Sequence, residues 1–258
     1  MLKIYTVDEA QKTILKRENA HFFADAEMTD AQKEASAAIY GRPLAPDEAV
    51  RYILKDIHQH GDTALKQWTQ KLDGAVIDDV AAPAEELAAA LKRIEPKLRH
   101  ALETAAERIR DFHQRQPLPN WTTTEMGGTV GQRVTPIRRV GVYVPGGTAP
   151  LPSTVLMCAI PARVAGVQEL IAVTPPNKDG SVPDVILAAA AIAGVDQLYK
   201  MGGAQAIGAL AFGTESIQAV DKIVGPGNLW VTLAKRQVYG IVGIDGLYGP
   251  TETAVVAD

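Results

Sequence analysis

Four glycine-rich turns in the second half of the chain carry the side chains that are best suited to bind a ligand. They read YVPGGTAP (143–150), MGGAQAIG (201–208), VGPGN (224–228) and YGPTE (248–252). Glycine lets the backbone approach a ligand closely, and a helix that begins just after such a turn favours phosphates and other anions at its N-terminus. The polar side chains in these turns are Tyr143, Gln205, Asn228, Thr251 and Glu252. The pattern therefore predicts a ligand-binding edge that is built from loops.

Each turn also has a plain structural interpretation, and the pattern alone leaves both interpretations open. The first turn lacks the GxGxxG arrangement of dinucleotide sites, and Ser153 and Thr154 could simply cap the helix that follows it. Gln205 either binds a ribose or an amide, or it is an ordinary solvated residue of a first helical turn. Asn228 stands at a natural N-cap position. Thr251 either contacts a substrate or belongs to a tight turn.

The remaining reactive side chains do not form a recognisable catalytic or metal-binding pattern. His58 and His60 are two residues apart, and such residues do not face each other on a helix, so we interpret them as surface side chains. Cys158 lies within an apolar helical segment and is expected to be a small buried hydrophobe. We find neither a Ser-His-Asp arrangement nor a zinc-binding spacing.

The elements that carry the turns alternate between strands and helices from Gly141 onward. The predicted strands are VGVYV, ELIAVT, QLYKM, DKIVG and VGIDG, and each interval between them holds a helical segment. Such alternation is typical of a parallel sheet, in which the ends of the strands meet at one edge. The sequence therefore predicts a Rossmann-like parallel α/β domain after a helical N-terminal region.

The first 120 residues are predicted to be mostly helical. A short strand is expected at Leu2–Val7, followed by a helix with Asp8 as its N-cap. Residues 46–72 are predicted to form two helices that are separated at Gly61. A long helix is expected from Pro83 to Arg115, with a kink or a break at Pro96.

The long helical segment is predicted to bury one apolar stripe, and a hairpin is predicted to follow it. The stripe has three- and four-residue steps; its members are Leu87, Leu91, Ile94, Leu98, Leu102, Ala106, Ile109 and Phe112. After PLPNW, alternating Thr and Val residues on either side of Gly127-Gly128 indicate a β-hairpin.

Composition excludes several classes of protein. The chain has 258 residues, 47% of them hydrophobic, which is enough for a substantial core. The net charge of −4, from 26 basic and 30 acidic residues, does not provide the basic surface of a nucleic-acid-binding protein. No stretch approaches the ~20 apolar residues of a membrane span, and the N-terminus lacks the apolar segment of a signal peptide. With one cysteine, the chain is expected to be cytoplasmic.

Three long segments closely resemble histidinol dehydrogenase. They are GVYVPGGTAPLPSTVLMCAIPARVAG, MGGAQAIGALAFGTESIQAVDKIVGPGN and AKRQVYGIVGIDGLYGPTETAVVAD. The likeness is nearly continuous from Arg138 to Asp258 and looser through the helical half. Long ordered motifs of this kind are far more specific than any single glycine turn.

The resemblance implies a zinc-dependent enzyme that oxidises L-histidinol through histidinal to L-histidine with two molecules of NAD. By motif, Tyr143, Gln205 and Asn228 match positions that contact NAD in the family. Thr251 matches a substrate-contacting position where the family usually has Ser, so the hydroxyl is kept and a methyl group is added. The family works as a homodimer, which the resemblance implies for the full-length protein.

The resemblance also implies an aldehyde-dehydrogenase-like architecture that is truncated at its C-terminus. The expected divisions are an N-terminal arm (1–36), the first part of a discontinuous α/β domain (37–140), a nucleotide-binding-like domain (141–252) and the start of a return into the first domain (253–258). In the family, the zinc ligands and the catalytic Glu-His pair follow the last of these segments. We therefore expect this chain alone to be inactive, with the 87–112 stripe partly uncovered.

Two other functions remain open at this stage. The first is a dehydrogenase of the same fold that acts on another small alcohol. The second is a non-catalytic NAD-binding module that is formed by residues 141–252. Binding of NAD without turnover would fit the module, but it would also fit a fragment of the enzyme.

Overall fold

The computed structural model describes residues 3–15, 28–116, 119–146 and 150–247. The chain divides into two compact units, Met1–Ala49 and Val50–Asp258. The four-part division expected from the sequence stays a prediction. In the described ranges, the helices are all too short or too polar to cross a membrane.

Among its described residues, the first unit has two short helices with reciprocal caps, α1 (Val7–Lys12) and α2 (Asp30–Tyr40), before α3 begins. Thr6 caps α1: its hydroxyl accepts from the Glu9 amide, and the Glu9 carboxylate accepts from the Thr6 amide. The predictions of a strand through Val7 and of Asp8 as the N-cap were therefore wrong. The capping box satisfies two free backbone donors at once and fixes the start of the helix two residues earlier than expected.

Helix α3 (Pro46–Asp73) is broken at Gly61, as predicted. Gly61 has φ +50° and ψ −129°, which is not helical. The amide of the next residue, Asp62, donates to Oε2 of Glu215 over 2.7 Å. A distant carboxylate thus caps the second half of the helix, which ends at Asp73.

Two helices, α4 (Ala84–Arg93) and α5 (Pro96–Gln114), replace the predicted long one, and the break at Pro96 is confirmed. Ile94 between them is extended, with ψ 153°, so the helical phase is not carried across the break. Two members of the predicted stripe are exposed, Leu98 at 40% and Phe112 at 63%. The other six belong to one core or pack against it: Leu87, Leu91, Ile94, Leu102, Ala106 and Ile109.

The inner faces of these helices are covered. Helix α4 packs on α7 (Asp184–Ala193), and α5 packs on α6 (Pro152–Val164) and α7. Leu87, Ala90, Leu102 and Ala106 join the same buried core as the sheet strands. The 87–112 stripe was expected to be partly uncovered, and its exposed members are Leu98 and Phe112.

The predicted hairpin is confirmed. Strand β1 (Trp121–Thr123) pairs antiparallel with β2 (Val130–Gln132). Gly127 in the turn has φ +77°, a conformation that glycine adopts without strain.

In the part of the chain that the structure describes, the central sheet has five parallel strands in the order β5-β4-β3-β6-β7. They are β3 (Arg139–Tyr143), β4 (Glu169–Thr174), β5 (Gln197–Lys200), β6 (Lys222–Val224) and β7 (Gly243–Ile244). The helices between them are α6, α7, α8 (Gly203–Phe212) and α9 (Leu229–Val238). This confirms the predicted parallel α/β fold. The first strand of the sheet, β3, lies in its middle. Strands β4 and β5 are added on one side of β3, and β6 and β7 are added on the other, so the order of the strands reverses between the neighbours β3 and β6.

A short segment that the sequence did not reveal covers the outer side of β5. The amide of Ala82 donates to the carbonyl of Leu198 over 2.8 Å, and the amide of Lys200 donates to the carbonyl of Val80 over 2.7 Å. The pairing is antiparallel. The segment follows α3 in the chain, so it ties the end of that helix to the sheet.

Candidate functional site

The candidate site lies at the point where the strand order reverses. In open parallel sheets, ligands bind in the crevice outside the carboxyl ends of the strands at such a point. Two of the predicted glycine turns flank it, after β3 and β6. Gly225, with φ +112°, lies so close to the end of β3 that a Cβ atom there would be 2.2 Å from the carbonyl oxygen of Tyr143. Only glycine permits this approach.

A buried ion pair holds the turn after β6 in place. Lys235 of α9 donates to Oδ1 of Asp245 over 2.8 Å and also to the carbonyl of Gly225. Oδ2 of Asp245 accepts from the Gly225 amide over 2.7 Å. Both backbone groups of Gly225 are therefore bound by charged side chains, which fixes the turn against the end of β3.

The loops after β3, β4 and β5 pack around Pro175. A Cβ atom at Gly202 would be 2.6 Å from Cγ of Pro175, and one at Gly146 would be 3.1 Å from it. The glycines that the sequence analysis assigned to ligand approach are also needed here for packing between loops.

Tyr143 reaches from the end of β3 to the start of α8. Its hydroxyl oxygen accepts from the backbone amide of Gly203 over 3.1 Å. Burial raises the pKa of Tyr143 to about 12. The hydroxyl is therefore a neutral phenol at physiological pH, and its own proton remains available for donation at the N-terminus of α8.

Gln205 is fully buried, at 0% exposure, so its interpretation as a solvated residue was wrong. Its Nε2 donates to Oδ2 of Asp73 over 3.2 Å. Its Oε1 is buried without a hydrogen-bond partner in the part of the chain that the structure describes. Buried acceptors of this kind are uncommon because each one loses its hydration without compensation. The unpaired oxygen lies beside Gly203, where a Cβ atom would be 2.6 Å from it.

Asp73 is the acidic member of this cluster. Burial raises its pKa to about 6, although the hydrogen bond from Gln205 acts in the opposite direction. Its charge also contributes to the raised pKa of Tyr143. Asp73, Gln205 and Tyr143 thus come from three elements, α3, α8 and β3, and interact around Gly203.

Asn228 is exposed and caps α9. Its Oδ1 accepts from the Val231 amide over 3.2 Å, as the N-cap interpretation predicts. The side-chain Nδ2 is not engaged by this bond and can donate elsewhere. The structure brings together Tyr143 and Gln205, whereas Asn228 lies on the turn beyond Gly225.

Two further expectations concern other helix termini and reactive groups. Ser153 and Thr154 do not cap α6; the helix begins with Pro152 after Leu151, without a side-chain cap. Proline is favoured at a first helical position because it has no amide to satisfy. Cys158 is packed against the core, and burial raises its pKa to about 11, so it is an unreactive thiol.

The structure does not place every predicted residue. Thr251 and the turn around it lie outside the described residues. Within the ranges that are described, no three His, Cys, Asp or Glu side chains are grouped so that they could hold a metal ion. The described residues therefore do not offer a site for zinc.

Sequence reasoning missed Asp73, Lys235 and Asp245. Asp73 lies within the sequence KLDG at the C-terminal end of a helix, where the helix dipole disfavours a negative charge, and this was an available signal. Lys235 lies in an otherwise ordinary helical turn, and its burial depends on the long-range pairing of β6 with β7. That pairing is not visible in a local pattern.

Comparison with known proteins identifies relatives over most of the chain. The profile of a family described as histidinol dehydrogenase matches residues 44–258. A histidinol dehydrogenase of Deinococcus radiodurans is 49% identical over 236 residues, which are 92% of this chain and 54% of that protein. One of Pseudomonas syringae pv. syringae is 53% identical over 216 residues, covering 82% of this chain and 48% of that protein.

A solved structure agrees with these matches. The crystal structure of histidinol dehydrogenase from Elizabethkingia anophelis superposes on this chain with a TM-score of 0.75 at 40% identity. The superposition covers 79% of this chain and 47% of the Elizabethkingia chain. The chain spans about half the length of the relatives it matches. The profile match extends through the whole parallel sheet and the cluster around Gly203, and on this basis the chain belongs to the histidinol dehydrogenase family.

Proposed function

We propose that this chain supplies the NAD-binding edge of an enzyme that oxidises L-histidinol through histidinal to L-histidine, the last steps of histidine biosynthesis. Membership in the family supports the reaction. The observation that carries the cofactor assignment is the buried, unpaired Oε1 of Gln205 beside Tyr143 and Gly203. It lies at the sheet edge where open α/β folds bind nucleotides.

The chemistry of this edge fits a dinucleotide. NAD has hydroxyl and amide groups that could donate a hydrogen bond to Oε1 of Gln205, and its negatively charged phosphates are favoured at the N-terminus of α8. In the observed bonds the Tyr143 hydroxyl and Oδ1 of Asn228 act as acceptors, so the hydroxyl proton of Tyr143 and Nδ2 of Asn228 can donate to a ligand. When bound, NAD accepts the hydride from the alcohol. The residues of this chain hold and orient the cofactor, and the buried pair of Lys235 and Asp245 keeps the turn at Gly225 fixed while they do so.

Other parts of the proposal rest on the family and on the sequence. Thr251 is proposed to contact the substrate through its hydroxyl, as the motif implies. Zinc is proposed for the whole enzyme, and the described residues do not offer its ligands. A homodimer and a cytoplasmic location are likewise proposed, the second from the single cysteine.

The NAD assignment is tested by titrating the 258-residue chain with NAD in a calorimeter. We expect wild type to bind and Gln205→Leu to bind about fivefold more weakly, since one hydrogen bond is worth about 1 kcal/mol. Gln132→Leu on the exposed hairpin is the matched control and should bind as wild type does. Equal affinity in all three proteins would contradict the assignment of Gln205.

Turnover is measured separately, as histidinol-dependent formation of NADH at 340 nm with and without Zn²⁺. We expect NAD binding without turnover from these 258 residues alone, because they span about half the length of their relatives. Zinc-stimulated turnover would contradict this expectation. Binding without turnover would leave the non-catalytic module as the alternative, and joining the chain to the rest of a full-length relative would separate the two.

A further inference from the structure

Asp73 is placed to control what Gln205 presents to a ligand. It ends α3, outside every glycine turn, and its Oδ2 accepts from Nε2 of Gln205 over 3.2 Å. The other amide atom, Oε1, is the buried and unpaired acceptor, and it lies beside Gly203, where a Cβ atom would be 2.6 Å from it. One end of the amide therefore donates to Asp73, and the other end lies beside Gly203 without a partner among the described residues.

A glutamine amide can occupy the same space in two orientations that exchange its oxygen and nitrogen. An ionised carboxylate only accepts hydrogen bonds, so it selects the orientation with Nε2 toward itself. We propose that Asp73 is a positioning residue that fixes the Gln205 amide with Oε1 toward the cofactor site, so that the site accepts a hydrogen bond from a hydroxyl or amide of the ligand. This inference rests on the proposed function of that edge as an NAD site.

The protonation state of Asp73 gives the arrangement a pH dependence. From the elements packed against it, the groups that interact with Asp73 are the amide of Gln205 on α8 and the hydroxyl of Tyr143 on β3. The phenol stays neutral because burial puts its pKa at about 12. The pKa of Asp73 is raised to about 6. Below that pH the carboxyl group can also donate to Oε1, and the amide loses its fixed orientation.

The coupling can be tested without NAD. In ¹⁵N-labelled chain, the side-chain amide signals of Gln205 are assigned by their absence in Gln205→Leu. We expect them to shift with pH with a midpoint near 6, and to be unchanged over the same range in Asp73→Asn, which has no titrating group at that position. Wild-type signals that do not change between pH 5 and 7.5 would overturn the inference.

The consequence for binding is tested by calorimetry with NAD. In Asp73→Asn both amide orientations are possible, so we expect about twofold weaker binding at pH 7.5, in proportion to the fraction that presents Oε1. Wild type should weaken by a similar factor at pH 5, while the variant should not depend on pH. Asp79→Asn, an exposed aspartate in the following loop, removes the same charge and should keep the wild-type profile.

The outcomes separate the two proposals. An Asp73→Asn variant with wild-type affinity and wild-type pH dependence would overturn the positioning role while leaving NAD binding intact. Absence of NAD binding by wild type, together with a normal amide titration, would instead contradict the proposed function, and the role of Oε1 toward the cofactor would fall with it.

Discussion

Burial affects the two partners Asp73 and Gln205 in different ways. The amide is neutral, so its burial costs only the hydration of Oε1, whereas the carboxyl group resists ionisation and its pKa rises to about 6. Both costs oppose the stability of the folded chain; the hydrogen bond from Gln205 offsets part of the cost at Asp73, whereas the cost at Oε1 is not offset by a bond among the described residues. Such groups are common where a protein has to bind something. The cluster thus combines a stability cost with the proposed ligand-binding role.

The raised pKa of Asp73 makes a prediction about stability. Between its ordinary value of 3.8 and about 6, the folded chain binds more protons than the unfolded chain, so this group lowers the free energy of unfolding as pH rises. A shift of this size corresponds to at most about 3 kcal/mol, which partial exposure reduces to about 1–2 kcal/mol. Asp73→Asn should therefore gain about that much relative to wild type between pH 4 and pH 7, as measured by urea unfolding.

The control for this prediction is Asp79→Asn, whose exposed side chain should leave the difference from wild type the same at both pH values. A constant difference for Asp73→Asn as well would mean that its carboxyl group is not the source of the pH dependence. Sequence alone could not give this result, because the burial of Asp73 depends on α8 and β3, which follow it by more than 60 residues.

At the scale of elements, the sequence predicted where helices are interrupted better than it predicted where they begin. Pro96 interrupts a helix because its ring clashes with the preceding turn, and Gly61 does so because glycine adopts a non-helical backbone without strain; local patterns show both. The start of α1 was missed because the reciprocal bonds of Thr6 and Glu9 outweigh the preference of Asp8 for an N-cap position. The outer segment Val80–Ala82 was missed because three residues carry no periodicity of their own.

The break at Gly61 can be tested by substitution. Gly61→Ala places a Cβ atom 2.2 Å from Oε2 of Glu215 in a backbone conformation that disfavours side chains, so the carboxylate must leave the Asp62 amide. We expect a loss of about 2–3 kcal/mol from strain and the lost cap together. Gly74→Ala has a similar φ of +71° and no atom within 4 Å, so it reports the strain alone, about 1 kcal/mol. Equal losses in the two variants, measured by thermal unfolding, would show that Glu215 contributes nothing.

At the scale of the whole molecule, residues Val50–Asp258 form one unit in which helices that precede the sheet in the chain pack on helices that belong to it. The sequence predicted the parallel sheet correctly because its strands alternate with helical segments at short intervals. It did not show that α4 and α5 cover α6 and α7, since that depends on the break before Pro96. Of the candidate site, it predicted Tyr143 and Gln205 but not the acid that joins them.

A single unit should unfold in one step and respond to a change in any part of the shared core. Leu102 on α5 is buried at 7% exposure, and Leu102→Ala should cost about 2–4 kcal/mol. Leu98→Ala on the same helix is the control; that side chain is 40% exposed, and its loss should cost below about 1 kcal/mol. Urea transitions followed by circular dichroism and by tryptophan fluorescence should coincide for both variants. Separate transitions would mean that the helices and the sheet unfold independently.

The segment Val80–Ala82 also bears on how copies of this chain behave at high concentration. An uncovered outer strand offers a row of free backbone donors and acceptors to any neighbouring molecule, and it is a common starting point for aggregation. Here the donor of Lys200 and the acceptor of Leu198 on that side of β5 are already occupied by the chain itself. On the opposite side, β7 is only two residues long. The paired segment therefore protects the sheet against the growth of intermolecular β-structure.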